Sequence, residues 1–142
     1  MSTSTPTPLW QSLAIIVARL IFAGLFIMAA TFKFSDIEGT AGYIASAGFP
    51  ASLFLAWVAA FFECLLVLGF LTGAYFRETS LLAAAYVVFL GIAFHGPSHW
   101  QGNQYEFGAF VSHFPFAAGL LFAAVNGPGR ILALRHTLIG RS

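Results

Sequence analysis

Charged residues are scarce in this chain, at 8% of 142 residues, against about a quarter in an ordinary soluble domain. The six Lys and Arg nearly balance the five Asp and Glu, so there is no excess of basic residues to attract nucleic acid. A single cysteine excludes an internal disulfide and a Cys-rich metal or iron–sulfur site. The composition thus excludes a disordered chain, a nucleic-acid binder and a typical cytosolic enzyme.

Apolar residues make up 59% of the chain and fall into long runs. A membrane-spanning helix needs about 17–25 mostly apolar residues. Four segments meet this requirement: Leu9–Phe32, Pro50–Leu71, Thr79–His95 and Phe107–Val125. The sequence therefore predicts an all-α membrane protein, a four-helix transmembrane bundle that forms one domain over residues 1–142. The Ser35–Phe49 connection, which ends in Gly-Phe-Pro, predicts a short interfacial helix.

The positive charges outside the spans are distributed unevenly. With four spans, both termini and the loop after span two share one side of the membrane, and the other side carries only Lys33. The arginines on the first side are Arg77, Arg130, Arg135 and Arg141. The positive-inside rule predicts that this side is cytoplasmic. Residues 127–142 form a basic cytoplasmic tail, either solvated or lying on an anionic membrane surface.

Two charged residues, Arg19 and Glu63, lie well inside predicted spans. A charge near the centre of a spanning helix costs on the order of 2.5–3.5 kcal/mol. Leu9 and Leu71 are the ends of spans one and two on the side of the termini. At a rise of 1.5 Å per residue, Arg19 lies about 15 Å from Leu9 and Glu63 lies about 12 Å from Leu71. These matched depths predict a buried Arg19–Glu63 ion pair, which serves either to fix the register of the two helices or to border a ligand or proton route.

Three histidines fall in the half of the bundle opposite the termini, and several interpretations of them are open. They are His95, His99 and His113. They are either separate interfacial residues that bond the loop backbone, or ligands of a metal or haem, or hydrogen-bond partners of a quinone headgroup. No motif beyond the residue types supports a metal, so none is predicted. The candidate contacts of a quinone are these three histidines together with Phe62 and Tyr43.

Short motifs along residues 12 to 132 give the chain a family resemblance. They are Arg19-x4-Gly24-x-Phe26, Lys33-Phe34, Gly42 to Pro50, Glu63, Leu68 to Gly73, His95, His99-Trp100 and Gly127 to Arg130. In order and spacing the chain resembles the DoxX-like integral membrane proteins. Two positions depart from the family pattern: Ala30 replaces a frequent glycine, and Ser112-His113 replaces a frequent Lys-Asn pair. Any role of that Lys-Asn pair is not transferred to this chain.

The resemblance implies a four-helix, multi-pass bundle in the inner (plasma) membrane and, more loosely, a redox function. DoxD-type relatives are similar to a small subunit of thiosulfate:quinone oxidoreductase. The first hypothesis is therefore a small, non-catalytic membrane subunit of a quinone-linked redox complex, which anchors a partner and contributes to a quinone pocket. The alternatives are a structural or assembly protein without a small ligand and, third, a small-solute transporter. A standalone enzyme is not expected; the expected partners are membrane lipid and either another protein or a second copy of the chain.

Overall fold

The computed structural model describes residues 8–139, and this part of the chain is entirely helical apart from turns and an extended C-terminal segment. Four of its five α-helices, all except α2, are long and apolar enough to cross a membrane. The helices are α1 (Leu9–Ser35), α2 (Ile37–Ser46), α3 (Ser52–Thr72), α4 (Phe76–His95) and α5 (Gln104–Asn126). The predicted all-α bundle with four spans is confirmed.

Helices α3 and α4 form a tight antiparallel hairpin. Gly73 ends α3 in the left-handed conformation, with φ 71°, and its N–H donates to the Gly69 carbonyl. Gly69 also lies directly against Thr79 of α4, where a Cβ atom would come within 2.2 Å of the threonine hydroxyl. A residue without a side chain is therefore required at Gly69 for α3 and α4 to approach this closely.

The connection between the first two spans contains the predicted short helix, α2. The Asp36 carboxylate accepts a hydrogen bond from the Gly39 N–H at 2.9 Å and so caps the first turn. Ala41 and Ile44 are buried with Ala56 of α3 in a small apolar cluster. Helix α2 is thereby fixed across the end of the bundle opposite the termini.

Phenylalanine rings form much of the core between the long helices. Phe22 and Phe26 of α1 both contact Phe70 of α3 and Phe116 of α5, with ring centroids 5.3–5.9 Å apart. Aromatic pairs at such separations add to the energy of packing. The contacts also set the antiparallel register of α1 and α3, because Phe26 is level with the last turns of α3.

The chain after α5 is extended and packs onto the α3–α4 turn. The Leu134 N–H donates to the Thr72 carbonyl, and the Tyr75 N–H donates to the His136 carbonyl, each at 2.8 Å. The Glu78 carboxylate accepts hydrogen bonds from the Thr137 hydroxyl and from the N–H groups of Leu138 and Ile139. The described part of the basic tail is thus docked on the bundle; Arg141 of that tail lies outside the described residues.

Candidate ligand-binding site

The predicted Arg19–Glu63 ion pair is wrong, because Arg19 binds backbone carbonyls instead. Its Nε donates to Phe70 O at 2.9 Å, and its Nη2 donates to Leu71 O at 2.6 Å. The remaining hydrogen bonds from the guanidinium reach the carbonyls of Pro128, Ile131 and Leu132. Arg19 therefore joins the C-terminal end of α3 to the segment that follows α5. The carbonyls at a helix end lack intrahelical donors, so a guanidinium is a suitable partner for them.

The depths estimated for Arg19 and Glu63 were not comparable, because the start of α1 and the end of α3 do not lie at the same height in the bundle. Since the Arg19 side chain reaches the carbonyl of Leu71, Arg19 lies beside the last turn of α3, and the first ten residues of α1 extend beyond that end. Further along the helix, Phe34 contacts Trp57 and Phe61. The level of Glu63 on α1 is therefore well past Arg19, towards the other end of the helix.

The partner of Glu63 is Lys33, near the end of α1. Lys33 Nζ lies 2.8 Å from Glu63 Oε1, and the Tyr86 hydroxyl of α4 donates to the same oxygen at 2.8 Å. Glu63 is 1% exposed, whereas the Lys33 side chain is 20% exposed. One carboxylate oxygen thus connects α1, α3 and α4 within the bundle.

The second oxygen of Glu63 is buried without a hydrogen-bond partner among residues 8–139. A buried carboxylate is stable only where charge and hydrogen bonds compensate its lost hydration. Lys33 supplies the opposite charge and Tyr86 supplies a second donor, both to Oε1. Ionisable residues inside a membrane bundle mark ligand or ion sites by default, so the surroundings of this group are the first place to look for a site.

A cavity of about 700 Å³ lies between α1, α2, α3 and α4 and is bordered by α5 at His113. Lys33 and Tyr86 are in its wall. This volume falls within the range of about 300–1,000 Å³ that is usual for small-molecule sites. Most of the wall is apolar and aromatic. The lining residues that carry the argument below are Lys33, Phe49, Phe62, Tyr86, His95 and His113.

At one end of this cavity, hereafter the lysine end (Lys33, Glu63 and Tyr86), hydrogen-bond donors are available. An ammonium has three N–H groups, and within the described part of the chain only one of those on Lys33 is used, by Glu63. The ion pair is neutral overall, so the lysine end suits an uncharged group with an acceptor atom. A carbonyl oxygen is such a group.

The other end of the cavity, hereafter the histidine end (His95, Glu106 and His113), has acceptors. His95 Nδ1 lies 2.7 Å from Glu106 Oε2, and His113 Nδ1 lies 2.6 Å from the Ala109 carbonyl oxygen. A carboxylate and a carbonyl only accept hydrogen bonds, so the hydrogen in each of these two contacts is on Nδ1. Neither Nε2 has a partner among the described residues, and in a ring that carries this one proton Nε2 is an acceptor. The ring centroids of the two histidines are 5.4 Å apart.

The structure brings most of the sequence-predicted contacts to this one cavity. Phe62, Tyr43, His95 and His113 line it, but His99 lies in the exposed turn after α4 and does not. Arg19 is at the opposite end of the bundle and is also absent from the wall. Among residues 8–139, no three His, Cys, Asp or Glu side chains lie together as a metal-ligand set.

Tyr43 of α2 stacks on Phe94 of α4, with ring centroids 5.0 Å apart. Partial burial is the main reason that the pKa of Tyr43 is raised above the usual value of 10, and the charges of Glu106 and Tyr105 raise it further. The Glu106 carboxylate is therefore close enough to act on both Tyr43 and His95. This end of the cavity combines aromatic walls with a negative charge.

Sequence reasoning missed two members of the site, Lys33 and Tyr86. Lys33 was counted as a loop cation, although a lysine side chain is long enough to extend along a helix away from its own backbone position. Tyr86 has a hydroxyl group in the middle of an apolar span. A polar group at such a position is the feature of the sequence that could have identified it as a site residue.

Comparison with known proteins identifies relatives along most of the chain. The chain is 30% identical to the Inner membrane protein YphA of Escherichia coli (strain K12), over 82% of this chain and 85% of that protein. It is 29% identical to the Inner membrane protein YqjF of the same strain, over 84% of this chain and 88% of that protein. No solved structure matches the chain. The DoxX family profile matches residues 14–96, more than half of the chain, and the chain therefore belongs to the DoxX family of membrane proteins.

Proposed function

We propose that the cavity binds a quinone-class ligand, a planar ring with carbonyl oxygens, and that the protein serves as a small subunit of a quinone-linked redox complex. The chain is an integral, multi-pass protein of the inner membrane in this proposal, as the names of its two relatives indicate for them. Its role is to hold the ligand in the membrane beside a partner that carries out the electron transfer.

The observation that carries the proposal is that Lys33, the partner of the buried Glu63, lies in the wall of a mostly apolar cavity. Placing a charged pair within a membrane bundle is costly unless it has a use or excellent compensation. The free N–H groups of Lys33 provide two donors for a ligand carbonyl. The ligand is thus expected to be apolar apart from a few oxygen acceptors.

The aromatic walls support a planar ring in particular. Phe62 packs edge-on against Tyr86, with centroids 5.1 Å apart, and Phe49 contacts Phe89 and Phe94. Aromatic side chains stack or pack edge-to-face on flat rings at separations of this kind. A ring ligand fits these walls better than a flexible polar solute would. We therefore prefer a bound quinone to a transported solute as the proposed ligand.

The test is binding of a short-chain benzoquinone to the full chain purified in detergent, measured by equilibrium dialysis. Ala59 lines the cavity, so Ala59→Trp should fill part of the volume and weaken binding at least tenfold. Ala118 is on the exposed face of α5, so Ala118→Trp makes the same change outside the cavity and should leave binding unaltered.

Mass spectrometry of the lipid extracted from the purified protein provides an independent measurement. We expect quinone in the extract of the unaltered chain and of Ala118→Trp, with much less in that of Ala59→Trp. Equal amounts in all three, or no binding of the benzoquinone at all, would remove the proposed function and favour a structural or assembly role without a ligand.

A further inference from the structure

We propose that the histidine end of the cavity (His95, Glu106 and His113) selects the reduced, hydroxyl-bearing form of the ligand, whereas the lysine end (Lys33, Glu63 and Tyr86) holds the carbonyl-bearing form. This inference rests on the proposed function and deepens it. It assigns two separate binding positions within one cavity, one that donates hydrogen bonds and one that accepts them.

Tyr86 at the lysine end and His95 at the histidine end are too far apart for one ring to contact both. They are nine residues apart on α4, or about 13 Å along the axis at 1.5 Å per residue. His113 packs against Gly91, which is five residues, or about 7.5 Å, from the level of Tyr86, and its ring centroid is 5.4 Å from that of His95. The opposite oxygens of a single benzoquinone ring are less than half as far apart as Tyr86 and His95. A ring bonded at Lys33 and Tyr86 therefore does not also bond His95.

At the histidine end, the hydrogen-bond partner of each Nδ1 determines whether Nε2 of the same ring can accept a hydrogen bond from a ligand. Glu106 accepts from Nδ1 of His95, and the Ala109 carbonyl accepts from Nδ1 of His113. Each neutral ring then has only an acceptor, Nε2, to offer a ligand. A hydroxyl can donate to Nε2, and a carbonyl oxygen cannot.

The lysine end has the opposite preference, because Lys33 and Tyr86 are in the cavity wall, whereas Glu63, whose Oε2 has no partner among the described residues, is buried behind them. The N–H groups of Lys33 that are not bonded to Glu63 can only donate. A carbonyl oxygen with two lone pairs is their best partner, and a hydroxyl is a weaker one. The other charged group in the cavity wall, Asp36, uses one oxygen to cap α2. The two ends together distinguish the oxidation states of a ligand by hydrogen bonding alone.

Gly91 is the element of the fold that positions His113. A Cβ atom added at Gly91 would come within 3.0 Å of the Cβ and Cγ atoms of His113. This contact is tighter than nearly all contacts of real Cβ atoms, so Gly91→Ala should shift the imidazole by a few tenths of an ångström. Gly108 of α5 has nothing within 4 Å of the same added atom, so Gly108→Ala is the matched control.

The experiment measures the dissociation constants of a short-chain benzoquinone and of its hydroquinone, under argon, for the full chain in detergent. His113→Phe keeps a ring but removes the acceptor. We expect it to weaken hydroquinone binding about tenfold, the effect of one lost hydrogen bond, and to leave benzoquinone binding within about twofold. Gly91→Ala should act in the same direction, and Gly108→Ala should not.

A second measurement needs no variant. In nitrogen-15 NMR of histidine-labelled protein, hydroquinone should shift the Nε2 resonances of two histidines, and benzoquinone should not. If benzoquinone binds while hydroquinone shifts no Nε2 resonance, or if His113→Phe weakens both forms equally, the proposed selection is wrong and the proposed function stands. If neither form binds the unaltered chain, the proposed function fails, and this inference fails with it.

Discussion

Lys33 Nζ lies 2.8 Å from Glu63 Oε1, and the two residues come from helices that run in opposite directions. The pair is asymmetric, because Glu63 is 1% exposed and the Lys33 side chain is 20% exposed. A lysine can extend its ammonium towards water when its partner is lost, but a carboxylate on the short glutamate stem cannot. This difference makes the consequences of single substitutions unequal.

We expect Lys33→Met to destabilise the protein more than Glu63→Gln. The first change leaves a buried carboxylate without its counter-ion, which costs about 3–5 kcal/mol in comparable cases. The second leaves a partly exposed ammonium. The double change Lys33→Met with Glu63→Leu should be milder than Lys33→Met alone, because no charge remains. Thermal unfolding in detergent, followed by circular dichroism, measures all three; a double variant as unstable as Lys33→Met would refute the argument.

Arg19→Met should release the segment that follows α5. The guanidinium holds the carbonyls of Pro128, Ile131 and Leu132 against the end of α3, and a hydrogen bond to a charged group is worth about 1.5–3 kcal/mol. We expect much faster tryptic cleavage after Arg130 and Arg135 than in the unaltered chain. Thr137→Val removes the hydroxyl contacts with Glu78 and with the Ile139 carbonyl but leaves those of Arg19, and it is the milder comparison. Equal cleavage of all three proteins would contradict the prediction.

Both termini should be cytoplasmic. The side of the bundle that carries the termini has four arginines in its connecting segments, and the opposite side has only Lys33. A phosphatase reporter that is active only in the periplasm should give no signal when fused after Ser142. The same reporter inserted between Gly102 and Asn103 should be active. The reverse result would invert the orientation and place the cavity at the cytoplasmic end.

The phenol of Tyr43 should ionise at a higher pH than an ordinary tyrosine. Burial is the main cause of its raised pKa, and the negative charge of Glu106 is the next. Because the folded-state pKa is raised, the contribution of Tyr43 to stability is complete below the unfolded value of about 10 and is lost as the pH rises through the folded value.

Tyrosinate absorbance of the unaltered chain, minus that of Tyr43→Phe, isolates this titration. Glu106→Gln should lower the pKa of Tyr43 towards its ordinary value. Glu38→Gln on α2 removes a carboxylate that is not among the causes of the shift, so it should leave the titration in place. If the titration in Glu106→Gln is the same as in the unaltered chain, Glu106 does not contribute to the raised pKa and the prediction is wrong.

The helices could be predicted from the sequence, because span length and hydropathy are local properties. The prediction of four spans and of a short helix after span one relied only on runs of apolar residues and on turn residues. The pairing of charges is not local. It depends on how far one helix slides along another, and that register is set by packing contacts such as Phe26 against Phe70.

Only part of the candidate site could be predicted, because residue types can be read from the sequence but contacts between helices cannot. His95, His113, Tyr43 and Phe62 were chosen for their residue types, and the fold brings them to one cavity. Lys33 was assigned to a loop because its backbone lies near the end of α1, although its Nζ reaches Glu63. The direction of a long side chain is decided by its partner, and the sequence does not identify that partner.

The contacts of Arg19 have a consequence for the order in which the protein is completed. The residue enters the membrane with the first span, yet three of its five carbonyl partners lie 109 to 113 positions later in the chain. During synthesis its guanidinium therefore stays incompletely bonded until the final segment leaves the ribosome. A chain interrupted before Pro128 contains every spanning helix, but the Arg19 side chain on its first helix lacks three of its five hydrogen-bond partners. Quality-control proteases could recognise this defect and so distinguish the interrupted chain from the finished protein.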